Sequence, residues 1–406
     1  MNILLLCNKS PYPPSEGGPM AMNSIITGLI GKGHKVKVMA FNSDKYSVNP
    51  DGIPPKYKED TRIEFVDIVL KVNPIDAFKN LFTGESYHVQ RFVSEEFSSR
   101  LVEVLKEEEF DIVQLEMVYM APYIDIIRKH SRAEIVLRAH NLEHQIWERI
   151  AKKTRFFAKR WYINHLARTL KSYELNVIKK VDGIAAITNR DASFFRRVTS
   201  KPVIDVPFGV DIDMFKYDNK VKKIPDFYHI GSMNWMPNEE AVKWLLDNVW
   251  DKVVEREPEA KLYLAGRNMP QWLVKTDKHN VFVVGEVEDS HKFVSEHDVA
   301  VVPLLSGGGM RIKIIESMAL GKTVISTMVG AEGIQYKEFE NIIIADNADQ
   351  MIEAMCRIMQ DRDNAERIGA NARRLIEDVY DNDKIINRLV IFYHELLSNK
   401  EITTLN

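Results

Sequence analysis

The chain has 406 residues, 45% of them hydrophobic, enough for two or three domains with ordinary cores. A formal net charge of −3 does not indicate nucleic acid as a partner. Cys7 and Cys356 stand at opposite ends, which excludes a disulfide framework and a cysteine-based metal site and fits a reducing compartment.

The first apolar run, residues 2–7, is too short and lacks the preceding basic residue of a signal peptide; it reads as a buried strand. No later run approaches the roughly 20 residues of a membrane helix. A loop, NKSPYPPSEGGP, follows, in which Gly17 and Gly18 precede Pro19, a favourable first helical residue. Those glycines are either a plain strand-to-helix turn or a backbone that approaches a diphosphate. Residues 34–41 and 63–68 read as strands, and 71–100 mixes helix signals with a loop around Thr83–Glu85. FDIVQLE (110–116) and EIVLRAH (134–140) read as parallel strands. The second leaves His140 and Asn141 at its carboxyl end, where open α/β sheets bind ligands. A single histidine is more often structural than catalytic, so both roles stay open.

Residues 142–180 carry a long helical pattern. Ile163, Leu166, Ala167 and Leu170 share one face; Phe157, Arg160, Trp161, Arg168 and Lys171 fall opposite. That second face suits an anionic membrane surface or a lipid-linked acceptor, or else is a solvated face whose aromatics pack on a neighbour. GIAAIT (183–188) is a further strand, and the polar, basic stretch Asn219 to Pro225 reads as a linker. A second α/β run opens with FYHIGSMNWMPN (227–238), followed by the strands KLYLAGR (261–267) and VFVVGEV (281–287).

Residues 298–330 then give strand, glycine loop, helix and strand. Gly307 to Gly309 lead into a helix whose free N–H groups favour an anion, and glycine lets a phosphate approach closely. Arg311 and Lys313 sit in the first turn, where cations are disfavoured unless they meet an anion. Glu316 lies about one and a half turns in, within reach of a sugar hydroxyl. Alternatively, the glycines form only a tight turn and the charges a solvated face. NIIIAD (341–346) is a last strand, helices cover 348–379, and the terminal KIINRLVIFYHELL is amphipathic.

GGGMRIKIIESMALGKTVIST, followed by VGAEG, resembles the donor-binding core of GT-B-fold glycosyltransferases of the retaining family four type. In that family a Glu-x7-Glu motif ends in EAMA-G-PVV. Glu316 matches the second glutamate, and Gly308 stands where the first would be. P-x-x-GG at the start and VIDVPFGVDIDMF (203–215) at the domain link extend the resemblance. A standard Arg and Lys near the start of the second domain are absent; Asn234, Trp235 and Asn238 stand there, and Arg311 with Lys313 are expected to supply the charge.

The resemblance implies two doubly wound, parallel-sheet, Rossmann-like domains facing a cleft. Residues 1–207 would form the acceptor-side domain, with helix 384–406 packing back on it, and 208–383 the nucleotide-sugar domain. The implied activity is transfer of a sugar from a nucleoside diphosphate sugar to an acceptor hydroxyl, with retention, in polysaccharide or glycolipid synthesis. His140, Arg311 and Lys313 would be catalytic, and Gly17, Gly18, Gly285, Val287, Gly308, Gly309, Met310 and Glu316 would hold the donor. No cofactor or metal is implied. The partners are a nucleotide-sugar donor, a saccharide or lipid-linked acceptor and an anionic membrane touched from the cytoplasm. A catalytically silent nucleotide-sugar-binding protein and an epimerase on the same fold remain alternatives.

Overall fold

The computed structural model describes residues 1–14, 17–44, 47–70, 80, 85–218, 220–307 and 309–404, with side chains to residue 398. Thr83 and Asn219 lie outside the described residues. The chain divides into two compact units, Met1–Phe208 with Ile385–Asn406, and Gly209–Lys384.

The first unit holds a seven-stranded parallel sheet. Its strands are β1 (Asn2–Cys7), β2 (Lys35–Ser43), β3 (Glu64–Ile68), β4 (Ile112–Glu116), β5 (Glu134–Ala139), β6 (Gly183–Ala186) and β7 (Val203–Asp205), in the order β3-β2-β1-β4-β5-β6-β7. β1 reads NILLLC without alternation because both of its faces are covered. On one face the helix Gly17–Gly31 buries Met22, Ile25, Ile26 and Leu29, and the terminal helix Asn382–Thr404 adds Ile385, Ile386, Leu389 and Tyr393. Gly183 admits that terminal helix: a Cβ there would stand 2.7 Å from the Phe392 ring and 2.8 Å from Leu396. The other face is covered by Phe97, Leu101 and Val104 of the helix Glu95–Glu107, with Leu170 and Val177.

Two elements differ from the sequence reading. The helical pattern of 142–180 is two helices, Glu143–Lys153 and Phe157–Lys180. Thr154 ends the first in an extended conformation, its hydroxyl donating back to the Ile150 carbonyl. β7 lies in what the sequence offers only as the start of the domain link, and becomes a strand because β6 supplies a ladder for it.

The second unit holds six parallel strands: β8 (Asp226–Ile230), β9 (Lys261–Ala265), β10 (Val281–Gly285), β11 (Val299–Val302), β12 (Thr323–Ser326) and β13 (Ile343–Ile344), in the order β10-β9-β8-β11-β12-β13. The chain runs outward from β8 to β10, then returns to lay β11 on the other side of β8. The carboxyl ends of β8 and β11 therefore flank a topological switch point, where a crevice for a ligand opens. Gly266, just past β9, has φ +141, and a Cβ on it would stand 1.9 Å from the Gly231 carbonyl oxygen. Gly266→Ala is expected to cost on the order of 3 kcal/mol, through left-handed strain and a backbone clash, read as a lower urea midpoint. An unchanged midpoint would show that the two loops do not have to approach this closely.

Candidate functional site

Two loops meet at the switch point of the second unit. One follows β8 through Gly231 to Trp235 and enters the helix Met236–Leu245. The other follows β11 and enters the helix Ile312–Ala319, with Arg311 at the N-cap position. Tyr228 of β8 donates to Ser317 Oγ at 2.8 Å, and Ser317 donates to the Lys313 carbonyl at 2.7 Å, which pins this helix to the sheet.

Gly307 and Gly309 both have positive φ, +104 and +85, which is why glycine stands at each. A Cβ on Gly307 would lie 2.9 Å from the Arg311 guanidinium and 3.0 Å from the Trp235 ring. Without it, the buried Arg311 packs over the Trp235 indole, Cζ 5.0 Å from the ring centre. Burial lowers the Arg311 pKa, and Glu332 acts in the opposite sense. Gly308 lies outside the described residues; Met310 is half-buried beside Arg311.

Lys313 Nζ reaches across to β8. It donates to Asn238 Oδ1 at 2.8 Å and lies 3.4 Å from His229 Nε2. Burial, and then the neighbouring Arg311, push its pKa from the ordinary 10.5 down to about 7. Asn238 thus orients the Lys313 amine. His229 is a site residue that sequence reasoning missed, because a histidine inside an apolar strand gives no signal before its partner is known.

Glu316 sits half-buried on the same helix, its Oε1 3.9 Å from His291 Nε2. The carboxylate raises the His291 pKa, and the imidazole packs on Phe215 at 4.5 Å between ring centres. His291, on the helix Ser290–Ser295, was also missed. Gly285 ends β10 with φ +83, and its carbonyl accepts from Gly266 N at 2.7 Å, so it supports the Gly266–Gly231 contact. Val287 lies half-buried just beyond it.

The remaining predicted residues belong to the first unit. Gly17 and Gly18 are the first residues of their helix, earlier than the Pro19 start expected, and a Cβ on Gly18 would touch the Lys9 side chain at 3.1 Å. His140, at the end of β5, bonds Glu116 Oε2 through Nε2 at 2.6 Å. Glu116 is wholly buried; Gln114 donates to its other oxygen at 2.6 Å, and Arg138 Nε lies 3.6 Å away. Next to it, Glu143 accepts from Tyr119 Oη at 2.8 Å and is pushed up to about 7 by burial. A cavity of about 10 Å³, room for one water, is lined by His140, Asn141, Glu143 and Glu174 among others. Among the described residues no group of three or more His, Cys, Asp or Glu is placed to hold a metal.

The structure therefore brings Gly307, Gly309, Arg311 and Lys313 together with Gly231 and Asn238, and sets Glu316 one turn further along with His291. Residues 224–361 match the family of Glycosyl transferases group 1. A 44.6 kDa uncharacterized protein in the cps region of Klebsiella pneumoniae is 21% identical over 401 residues, 95% of this chain and 98% of that protein. Sucrose-phosphate synthase from Thermosynechococcus elongatus is similar with a TM-score of 0.68 at 15% identity, covering 98% of this chain and 100% of that one. Anabaena Alr3699/HepE, solved in complex with UDP, gives 0.65 at 13% identity, covering 97% and 100%. The fold is GT-B, and the family match over residues 224–361 supports a glycosyltransferase.

The folded pKa of Lys313 lies below its unfolded value, so between about pH 7 and 10.5 the unfolded chain binds the extra proton. Stability from this group is lowest below pH 7 and rises across that window. Relative to a Lys313→Met variant, the unliganded wild type is expected to gain melting temperature as pH rises from about 7 to 10. A difference that stays constant with pH would mean that Lys313 is not desolvated.

Proposed function

We propose that the chain is a retaining glycosyltransferase of the family four type, which moves a sugar from a nucleoside diphosphate sugar to an acceptor hydroxyl in polysaccharide or glycolipid synthesis. The observation that carries this reading is a half-buried lysine whose amine has neutral partners, set beside a buried arginine where a glycine loop enters a helix. Such a place is short of negative charge, and a diphosphate supplies it. The cps-region relative agrees with polysaccharide synthesis. The UDP complex of the similar Anabaena protein puts uridine nucleotides first among donors to test.

In this reading the diphosphate rests on Gly307–Gly309, Arg311 and Lys313, with the ribose toward Glu316. The bond from the anomeric carbon to the phosphate oxygen breaks as the acceptor oxygen bonds to the same face. The hydroxyl proton passes to the departing phosphate. Arg311 and Lys313 stabilise the charge that develops there. His140 donates from Nε2 to Glu116, so its Nδ1 is left to accept from a sugar hydroxyl. Met310, Gly285 and Val287 line the nucleotide, and the Gly17–Gly18 backbone approaches the diphosphate.

The acceptor side meets an anionic membrane surface. Phe156, Phe157 and Trp161 are 70%, 75% and 56% exposed, and Trp161 stacks on His165 of its own helix. No acidic residue lies between Glu148 and Glu174, while Lys152, Lys153, Arg155, Lys159 and Arg160 flank the aromatics. Exposed aromatics among uncompensated cations match the interface of an anionic bilayer. No helix among the described residues is long and apolar enough to cross a membrane.

Glu316→Gln keeps the shape but loses the charge-assisted bonds to ribose, so affinity for the nucleoside diphosphate should fall roughly ten- to a hundredfold by calorimetry. Wild-type affinity would remove Glu316 from the site. A panel of nucleotide sugars with the purified protein separates the alternatives: nucleoside diphosphate release supports transfer, while binding without turnover favours a silent binding protein. Sedimentation with phosphatidylglycerol vesicles is expected to weaken with salt and with Phe157→Ser/Trp161→Ser. Equal sedimentation with neutral vesicles, or none at all, would count against the membrane contact.

A further inference from the structure

The contacts around Lys313 fix more than its position. His229 is wholly buried in β8, and its Nδ1 lies 2.8 Å from the Val301 carbonyl oxygen. A carbonyl can only accept, so Nδ1 carries the proton and Nε2 presents a lone pair. That lone pair faces Lys313 Nζ at 3.4 Å. Asn238 is held in one orientation, because its Nδ2 donates to the Ser232 carbonyl at 2.9 Å while Oδ1 accepts from Nζ at 2.8 Å. Gly231 makes the space, since a Cβ there would stand 2.7 Å from Nζ.

The amine thus has two acceptors, both neutral. An uncharged amine has just two N–H bonds to give them, and its lone pair occupies the third direction. The charged groups on the surrounding elements do not change this balance. Arg311 adds positive charge, Glu332 acts on Arg311, Glu316 stands near His291, and Glu240 accepts from Ser306 Oγ at 2.8 Å. Among the described residues no carboxylate pairs with Lys313 Nζ.

We propose that His229 and Asn238 are positioning residues that hold Lys313 as a neutral amine, and that binding of a nucleoside diphosphate draws one proton from solvent onto Nζ. The lone pair becomes the third N–H, which donates to a phosphate oxygen, and the two existing bonds stay in place. The charge is created only when the anion that needs it is present, so the empty site does not hold a half-buried cation beside Arg311 with no carboxylate to answer it. The direction of the Lys313 shift agrees, burial being its largest cause. The inference rests on the donor-site reading and adds the proton to it.

The test is calorimetry of uridine diphosphate binding to the full chain at pH 8, in two buffers of different ionisation enthalpy. At that pH the ligand's own phosphates are almost fully ionised, with a second pKa of about 6. Uptake approaching one proton is expected, with affinity falling up to about tenfold per pH unit above pH 8. Lys313→Arg, always charged, should bind without uptake. His229→Leu, checked for folding by circular dichroism, should weaken binding roughly tenfold, and His229→Gln, whose side-chain oxygen accepts, should restore most of it. Tight binding of uridine diphosphate without proton uptake, or uptake that persists in Lys313→Arg, overturns the inference and leaves the donor site standing. Failure of any nucleoside diphosphate to bind between pH 6 and 9 overturns both.

Discussion

A lysine side chain folded into the end of a parallel sheet, with an imidazole and an amide as its bonded partners, sets the constraint on the second unit. Burying an amine among neutral groups is costly unless its hydrogen bonds are met and its charge is either removed or answered. The surrounding glycines answer the geometric part. Gly231 leaves room for Nζ, Gly266 lets the β9 loop close against Gly231, and Gly307 lets Trp235 and Arg311 stack. The electrostatic part is left to something outside the chain, which is the physical meaning of a binding site here.

The first unit treats buried charge in the opposite way. Glu116 is wholly buried, yet it meets His140, Gln114 and Arg138. Tyr393, from the terminal helix, in turn donates to Gln114. Removing any one partner would leave a charge or a donor stranded in the sheet, so this network favours one arrangement of β4, β5 and the terminal helix. The second unit also pairs the buried Asp226 with Lys222 and His297, but gives the Lys313 amine only neutral acceptors.

Both units share a topology in which the strand order reverses beside the first strand; in the first unit Glu116 ends β4 at that reversal and His140 follows β5, one strand further out. The similarity to sucrose-phosphate synthase at 15% identity shows how little of this depends on particular residues. Apolar strands covered on both faces, and glycines where loops must close, are enough to keep the architecture while the side chains in the crevices change.

The sequence by itself determined the alternation of strands and helices, the two α/β runs and the glycine loop before Arg311, because these follow from local periodicity and from the conformations that only glycine tolerates. The same local logic merged 142–180 into one helix and passed over β7, since a three-residue strand exists only when a neighbouring strand supplies its ladder. Only the tertiary structure decided which side chains meet. His229 and Lys313 are 84 residues apart in sequence, and their contact depends on β11 returning to lie beside β8. His291 reaches Glu316 in the same way, from a helix of another crossover. The exposure of Phe157 and Trp161 was likewise undecided until the packing of their helix was known, because a helical pattern specifies a face but not what covers it.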